Sequence, residues 1–183
     1  MKRKVLFIVI TIFSITLGLS AADTAQIRNW LVDTQPGLYY VESVADGDTI
    51  IVNMNGELET IRFIGVDTPE THHPSKPVQC FGEAASRFTT NLLDGQEVRL
   101  ESDPSSDNRD RYNRLLRYVY QSDELINEKL ISEGYGFAYT AFPHSKLESF
   151  VEAESEAREL KIGLWSGCDL EINKYGSQET SPA

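Results

Sequence analysis

Three short clusters of charged side chains could do chemistry in this sequence. The first, Asp46-Gly47-Asp48-Thr49, sets two carboxylates on either side of a glycine. Alone it is a weak signal, because Asp-Gly is a common turn dipeptide and short acids cap backbone amides. In the second, Arg62-Phe63-Ile64-Gly65-Val66-Asp67-Thr68-Pro69-Glu70, an apolar run delivers two carboxylates just past its end. Strand alternation puts Arg62, Ile64 and Val66 on one face, so a guanidinium among apolar neighbours requires an anionic partner or ligand. A structural salt bridge to a nearby acid is the simpler account of it. Pro69 lacks an amide and biases Thr68 toward an extended conformation, which turns the Thr68 carbonyl outward beside Asp67. Asp48, Asp67 and that carbonyl make a set of hard oxygen ligands, better suited to Ca²⁺ than to Zn²⁺.

The third cluster, Asp107-Asn108-Arg109-Asp110-Arg111-Tyr112-Asn113-Arg114, concentrates arginines around a tyrosine. Arg109 is expected in a solvated loop and Asn113 in a left-handed turn. Arg114 opens an apolar strand and is expected to point into a cleft or along the sheet. A cation site, two strand-borne arginines and a further glutamate are the parts needed for attack of water on a phosphodiester. Cation and guanidinium groups stabilise the charge on five-coordinate phosphorus, and Glu70 takes a proton from the water.

The elements that must position these groups follow from periodicity. Alternation predicts strands over Leu38 to Val44, Thr49 to Met54 and Leu58 to Val66, with Asn55-Gly56 as a hairpin turn between the last two. A helix is expected over Gly82 to Leu93, ended by Asp94-Gly95, then strands over Glu97 to Glu101 and Leu115 to Tyr120. Leu125 to Ser132 reads as a short helix. Ser145 to Leu160 reads as a longer one, opened by the capping box Ser145-x-x-Glu148 and burying Leu147, Phe150, Val151, Ala157 and Leu160. The expected class is α+β: five strands that can form a small partly open barrel, with three helices.

The chain has 183 residues, 40% hydrophobic and 25% charged, a composition that suits one globular domain and argues against disorder or a polytopic membrane protein. Lys2, Arg3 and Lys4, an apolar run over Val5 to Leu19, and Ser20-Ala21-Ala22 form a signal-peptide pattern over residues 1–22. Its run is short for a membrane span, so an uncleaved anchor is the minor alternative. Removing those three basic residues takes the net charge from -11 to -14. That charge argues against broad electrostatic attachment to polyanions, so any such partner must be met by a local basic site or a bound cation. A secreted or periplasmic location makes a Cys80–Cys168 disulfide the expected state, with two buried thiols as the alternative. Residues 23–37 are expected to be a weakly structured lead-in, 38–168 the domain, and 169–183 a disordered polar tail.

Taken in order, Asp46-Gly47-Asp48-Thr49, Arg62 through Glu70, Phe81-Gly82-Glu83-Ala84, Asp110-Arg111-Tyr112-Asn113-Arg114 and Gly163-Leu164-Trp165-Ser166 resemble the staphylococcal-nuclease-like, or thermonuclease, family, over about Tyr40 to Trp165. The resemblance implies an OB-fold five-stranded β-barrel with three α-helices, and a Ca²⁺-dependent nuclease acting on DNA and RNA that leaves 3′-phosphates; single strands are the expected substrate and a monomer the expected state. It implies that Asp48, Asp67 and the Thr68 carbonyl bind the ion, and that Arg62, Glu70 and Arg114 are catalytic. Arg111 and Tyr112 match positions lining the nucleotide pocket, and Tyr139, with Phe142 nearby, falls close to a further aromatic position. Asn113 stands where relatives commonly carry glycine. Relatives are often basic, so weak long-range attraction for substrate is expected of this acidic chain.

Other candidates are weaker. His72 and His73 are expected to serve a loop, and His144 local structure. A glycosidase using Asp67 and Glu70 leaves the arginines without a role. A non-catalytic OB module that binds nucleic acid or protein is the alternative of a different class.

Overall fold

The computed structural model describes residues 37–71, 77–174 and 176–183. The expected signal peptide, residues 23–36 of the lead-in, His72 and His73 lie outside the described residues.

Three strands form a meander: β1 (Leu38–Asp46), β2 (Thr49–Met54) and β3 (Glu57–Phe63). Tyr39 and Val41 of β1, Ile50, Val52 and Met54 of β2, and Ile61 and Phe63 of β3 are buried, so alternation does set the inward faces. Asn55 (φ 57°) and Gly56 (φ 93°) both take positive φ, the backbone that a tight two-residue hairpin requires. Register shifts between Val41 and Ser43 and between Val44 and Asp46 mark irregularities that bend β1. The strand expected to run to Val66 stops at Phe63. Gly65 turns at φ 72°, and β4 (Val66–Asp67) restarts in a separate pairing with β8 (Phe137–Ala138).

Helix α1 (Gly82–Leu93) leads to β5 (Glu97–Glu101), which pairs with β1 and with β6 (Leu115–Gln121). The barrel closes where β6 pairs in parallel with β3, setting Ile61 opposite Leu115 and Arg62 opposite Leu116. Five strands thus form a closed barrel in the order β3-β2-β1-β5-β6, with three helices: α1, α2 (Ile126–Ser132) and α3 (Leu147–Glu159). This is the OB-fold, α+β arrangement. Its core includes Val41, Ile50, Val52, Ile61, Leu115 and Val119, each fully buried and worth on the order of 2 kcal/mol. The pair β7 (Glu124–Leu125) and the short turn α4 (Leu164–Gly167) complete the body.

Two expectations about the remaining segments need correction. The capping box does not form, because the amide and hydroxyl of Ser145 both donate to Asp103 Oδ2, the amide at 2.7 Å. Helix α3 therefore opens at Leu147 with no side-chain cap, and it buries Phe150 and Ala157 while Val151 and Leu160 are exposed. The tail expected to be disordered forms an antiparallel pair, β9 (Leu170–Ile172) with β10 (Gln178–Thr180). Asn173 closes it, its amide donating to the Ser177 carbonyl at 2.9 Å while its side chain accepts from the Ser177 amide at 3.1 Å. Cys80 and Cys168 are joined by a disulfide with a Cα–Cα distance of 5.8 Å. Among the described residues no helix is long and apolar enough to cross a membrane.

Candidate active site

The tight turn between β1 and β2 carries Asp46, Gly47 and Asp48. A Cβ on Gly47 would lie 2.7 Å from Thr68 Oγ1, so only glycine lets the turn seat against the segment that follows β4. From the other side, Thr89 of α1 donates to the Gly47 carbonyl at 2.5 Å. Asp48 is buried, and its carboxylate accepts from the Thr68 amide at 2.9 Å, the Thr68 hydroxyl at 3.2 Å and the Thr49 hydroxyl at 3.0 Å.

Arg62 sits at the centre of these acids. Its guanidinium reaches Asp48 Oδ2 at 3.0 Å and Asp67 Oδ1 at 2.8 Å, and it donates to the Val66 carbonyl at 2.7 Å and the Phe63 carbonyl at 3.1 Å. The sharp turn at Gly65 is what returns the chain so that Val66 and Asp67 meet the arginine of the preceding strand. Burial opposes the charge on Arg62, but Asp48, Asp67, Tyr139 and Asp46 more than offset it, raising its pKa above the ordinary value. The anionic partner required by this arginine is therefore a pair of acids, each drawn from one of the two clusters.

Asp46 belongs to the same group, a role that the sequence motif alone does not assign to it. Its carboxyl accepts from the Gly47 amide at 2.8 Å and the Thr71 hydroxyl at 2.9 Å, and it shares a hydrogen bond with Glu70. Burial first, then the charge of Asp48 and the bond with Glu70, push its pKa up to about 6, against the pull of the Gly47 amide and Thr71. The signal was present in the Asp-Gly-Asp repeat, whose two acids straddle one glycine and enter one site. Glu70 receives the Thr71 amide on Oε1 at 3.1 Å, and its own amide donates to Gln79 Oε1 at 2.8 Å. Gln79 is a second residue that sequence reasoning missed, and nothing in its local pattern marked it.

The arginine turn is built differently. Asp110 accepts from the amides of Tyr112 and Arg114 and from Arg114 Nε at 2.7 Å, while Asn113 takes the expected left-handed conformation at φ 66°. The Tyr112 ring, 65% exposed, lies under the guanidinium carbons of Arg111 at 4.8 Å and Arg114 at 5.4 Å. Arg114 stands two residues before Leu116, the partner of Arg62 across the barrel closure. Arg109 departs from expectation: it forms a paired contact with Glu59 of β3 at 2.9 and 3.0 Å and ties the turn to the barrel. Tyr139 lies half-buried with its ring centroid 6.0 Å from that of the exposed Phe142.

Among the described residues no group of three or more His, Cys, Asp or Glu side chains is arranged as a metal cage. A cation here would rest on two carboxylates, a backbone carbonyl and water, an incomplete protein shell that Ca²⁺ accepts and Zn²⁺ disfavours. The donor set is what fits such an ion: Asp48 accepts from the Thr68 amide at 2.9 Å and Asp67 adjoins it in the chain, so hard, negatively charged oxygens lie around the Thr68 backbone.

Comparison with known proteins bears on this geometry. A family model described as "Staphylococcal nuclease homologue" matches residues 60–167. The chain is 44% identical over 134 residues to a thermonuclease of Staphylococcus intermedius, covering 73% of this chain and 79% of that protein. It is 46% identical over 129 residues to a thermonuclease of Staphylococcus hyicus, covering 70% and 75%, and 41% identical over 136 residues to endonuclease YncB of Bacillus subtilis, covering 73% and 64%.

Proposed function

The chain belongs to the staphylococcal nuclease homologue family and is a nuclease, and from that premise we propose that it is an exported Ca²⁺-dependent enzyme hydrolysing DNA and RNA at the Asp46–Glu70 site. The observation that carries this reading is the convergence of Asp48, Arg62, Asp67 and Thr68 in one bonded group, with Glu70 joined to it through Asp46.

Asp48, Asp67 and the Thr68 carbonyl would hold the ion. Bound Ca²⁺ supplies Lewis-acid stabilisation of charge on a phosphate oxygen. Arg62, kept protonated by its acids, and Arg114, pre-aimed by Asp110, place positive charge where the phosphorus gains an extra oxygen. Glu70 takes a proton from the attacking water as the new P–O bond forms and the P–O5′ bond breaks, and the leaving ribose or deoxyribose 5′-oxygen takes a proton from solvent water to become a hydroxyl. The products are a 3′-phosphate and a 5′-hydroxyl. Arg111 and Tyr112 line the nucleotide side of the cleft, and Tyr139 offers a ring on which a base can stack. Because stacking needs unpaired bases, single strands are the better substrate. Residues 1–22 direct export, and the enzyme acts as a monomer.

The test is cleavage of single-stranded DNA and RNA by the purified protein with Ca²⁺, with a chelator, and with Ca²⁺ restored. The expected result is activity that chelation abolishes and Ca²⁺ returns, with 3′-phosphorylated products. Activity unaffected by chelation would remove the cation from the reading. A non-catalytic OB module is the less supported reading, since Asp48, Asp67 and Arg62 are grouped.

A further inference from the structure

The residues beside Glu70 are held in a way that the chemistry above does not use. Gln79 and Glu70 bond reciprocally: the Glu70 amide donates to Gln79 Oε1 at 2.8 Å and the Gln79 amide donates to the Glu70 carbonyl at 2.9 Å. Gln79 is 8% exposed, so its amide side chain is a buried acceptor matched to one donor next to the proposed base. Its carbonyl accepts from the Gly82 amide at 2.9 Å, and a Cβ on Gly82 would lie 2.8 Å from the Glu70 carbonyl oxygen, so the start of α1 packs directly on the Glu70 backbone.

The segment after β9 closes over this clasp. The Cys80 amide donates to the Ser181 carbonyl at 2.8 Å, the Thr180 hydroxyl donates to the Cys80 carbonyl at 2.8 Å, and the Ala183 amide donates to the Val78 carbonyl at 2.9 Å. Gln79 itself bridges with Pro182, so both of its neighbours and its own position are lined by one strap. The Ser181 amide donates to the Asp169 carbonyl at 2.9 Å, beside Cys168, and the disulfide ties that end to Cys80. The strap also reaches the chemistry: Gln178 and Glu179 line the same cavity of about 170 Å³ as Asp67, Thr68, Glu70 and Gln79.

We propose that Gln79, clasped between the Glu70 backbone and the 178–183 strap, is a positioning residue that fixes the Glu70 carboxylate for proton abstraction. The inference rests on Glu70 being the base. Hydrogen bonds that lock a reacting group act mainly on the rate of the chemical step, because a displacement of about 1 Å costs on the order of a hundredfold.

The experiment compares Gln79→Ala, Gln79→Glu and Glu70→Gln in the full chain, reading kcat, KM and amide hydrogen exchange. Gln79→Ala is expected to lower kcat about tenfold or more with KM within about twofold, and to speed exchange at the Glu70 amide while amides of β2 and β6 keep their protection. Gln79→Glu retains an acceptor for the amide and is expected to restore protection of the Glu70 amide, while its added negative charge beside Glu70 keeps kcat below wild type. Wild-type kcat in Gln79→Ala, loss of protection across the whole barrel, or failure of Gln79→Glu to restore that protection would each overturn the inference. The Glu70→Gln arm separates the two readings. A fully active Glu70→Gln removes Glu70 as base and the positioning role with it, whereas an inactive Glu70→Gln beside a fully active Gln79→Ala overturns only the role of Gln79.

Discussion

Asp103 and Asp46 are carboxylates held under opposite electrostatic conditions. Asp103 is surrounded by donors: the Tyr118 hydroxyl at 2.7 Å, the Ser105 and Ser145 amides at 2.7 Å each, and the Ser145 hydroxyl. Burial alone would raise its pKa, but these donors outweigh it and hold the carboxyl far below the usual range. Asp46, in contrast, is pushed up to about 6 because it is partly buried beside Asp48 and Glu70. The first arrangement stabilises the fold by satisfying a charge. The second concentrates negative charge, the condition that the proposed cation and substrate would relieve.

The contrast can be broken most sharply at Glu70. Glu70→Gln removes the proposed base but keeps a side chain able to bond Asp46, so kcat is expected to fall by about a thousandfold or more while the thermal midpoint stays level or rises. Loss of folding alongside activity would place Glu70 with Asp103 instead. Arg62→Ala is expected to be harmful in both respects. It strips the cation from Asp48 and Asp67 and lowers stability by about 3 kcal/mol in cation-free buffer, readable by urea titration. Arg114→Ala, at a more exposed turn, should lower the rate with a much smaller stability loss.

Asp103→Asn tests the other side. It is expected to cost about 2 kcal/mol at neutral pH with kcat per folded molecule unchanged. Because the folded pKa of Asp103 lies below its unfolded value, its contribution is fully present above about pH 4 and is lost as the pH falls from there toward the folded value. Wild-type and variant unfolding curves should therefore converge in acid. The smallest effect concerns salt: with a net charge of -11, the protein should show only a shallow decline of cleavage with ionic strength, and a steep one would mark it as a strongly basic binder would be marked.

Legibility in the sequence followed the range of the interactions. The bounds of β2, β5 and α1 were readable because alternation, an Asn-Gly turn and an Asp-Gly stop are local signals. Asp48, Arg62, Asp67 and Thr68 were legible for the same reason, since each lies at the end of a strand. Ser145 looked like a helix cap until Asp103, 42 residues away, claimed it, and Arg109 looked solvated until Glu59, 50 residues away, did the same. Arg117 is fully buried, its guanidinium capped by the Asn108 carbonyl at 3.2 Å and Oδ1 at 2.5 Å, and no periodicity predicts such a pairing. The strap was illegible because its partners are backbone groups around Cys80, and its polar composition said only that it would not bury itself.

The bond between Cys80 and Cys168 also divides the polypeptide into a covalent ring and a part lying outside it. The ring holds α1, β5, β6 and α2 to α4, including Arg114, whereas β1 to β4, with Asp48, Arg62 and Glu70, precede it. A single protease cut inside the ring yields fragments that migrate together on a gel until a thiol is added. A cut between Glu70 and Cys80 severs the acids from the arginine turn, leaving only noncovalent packing to keep the two in one particle.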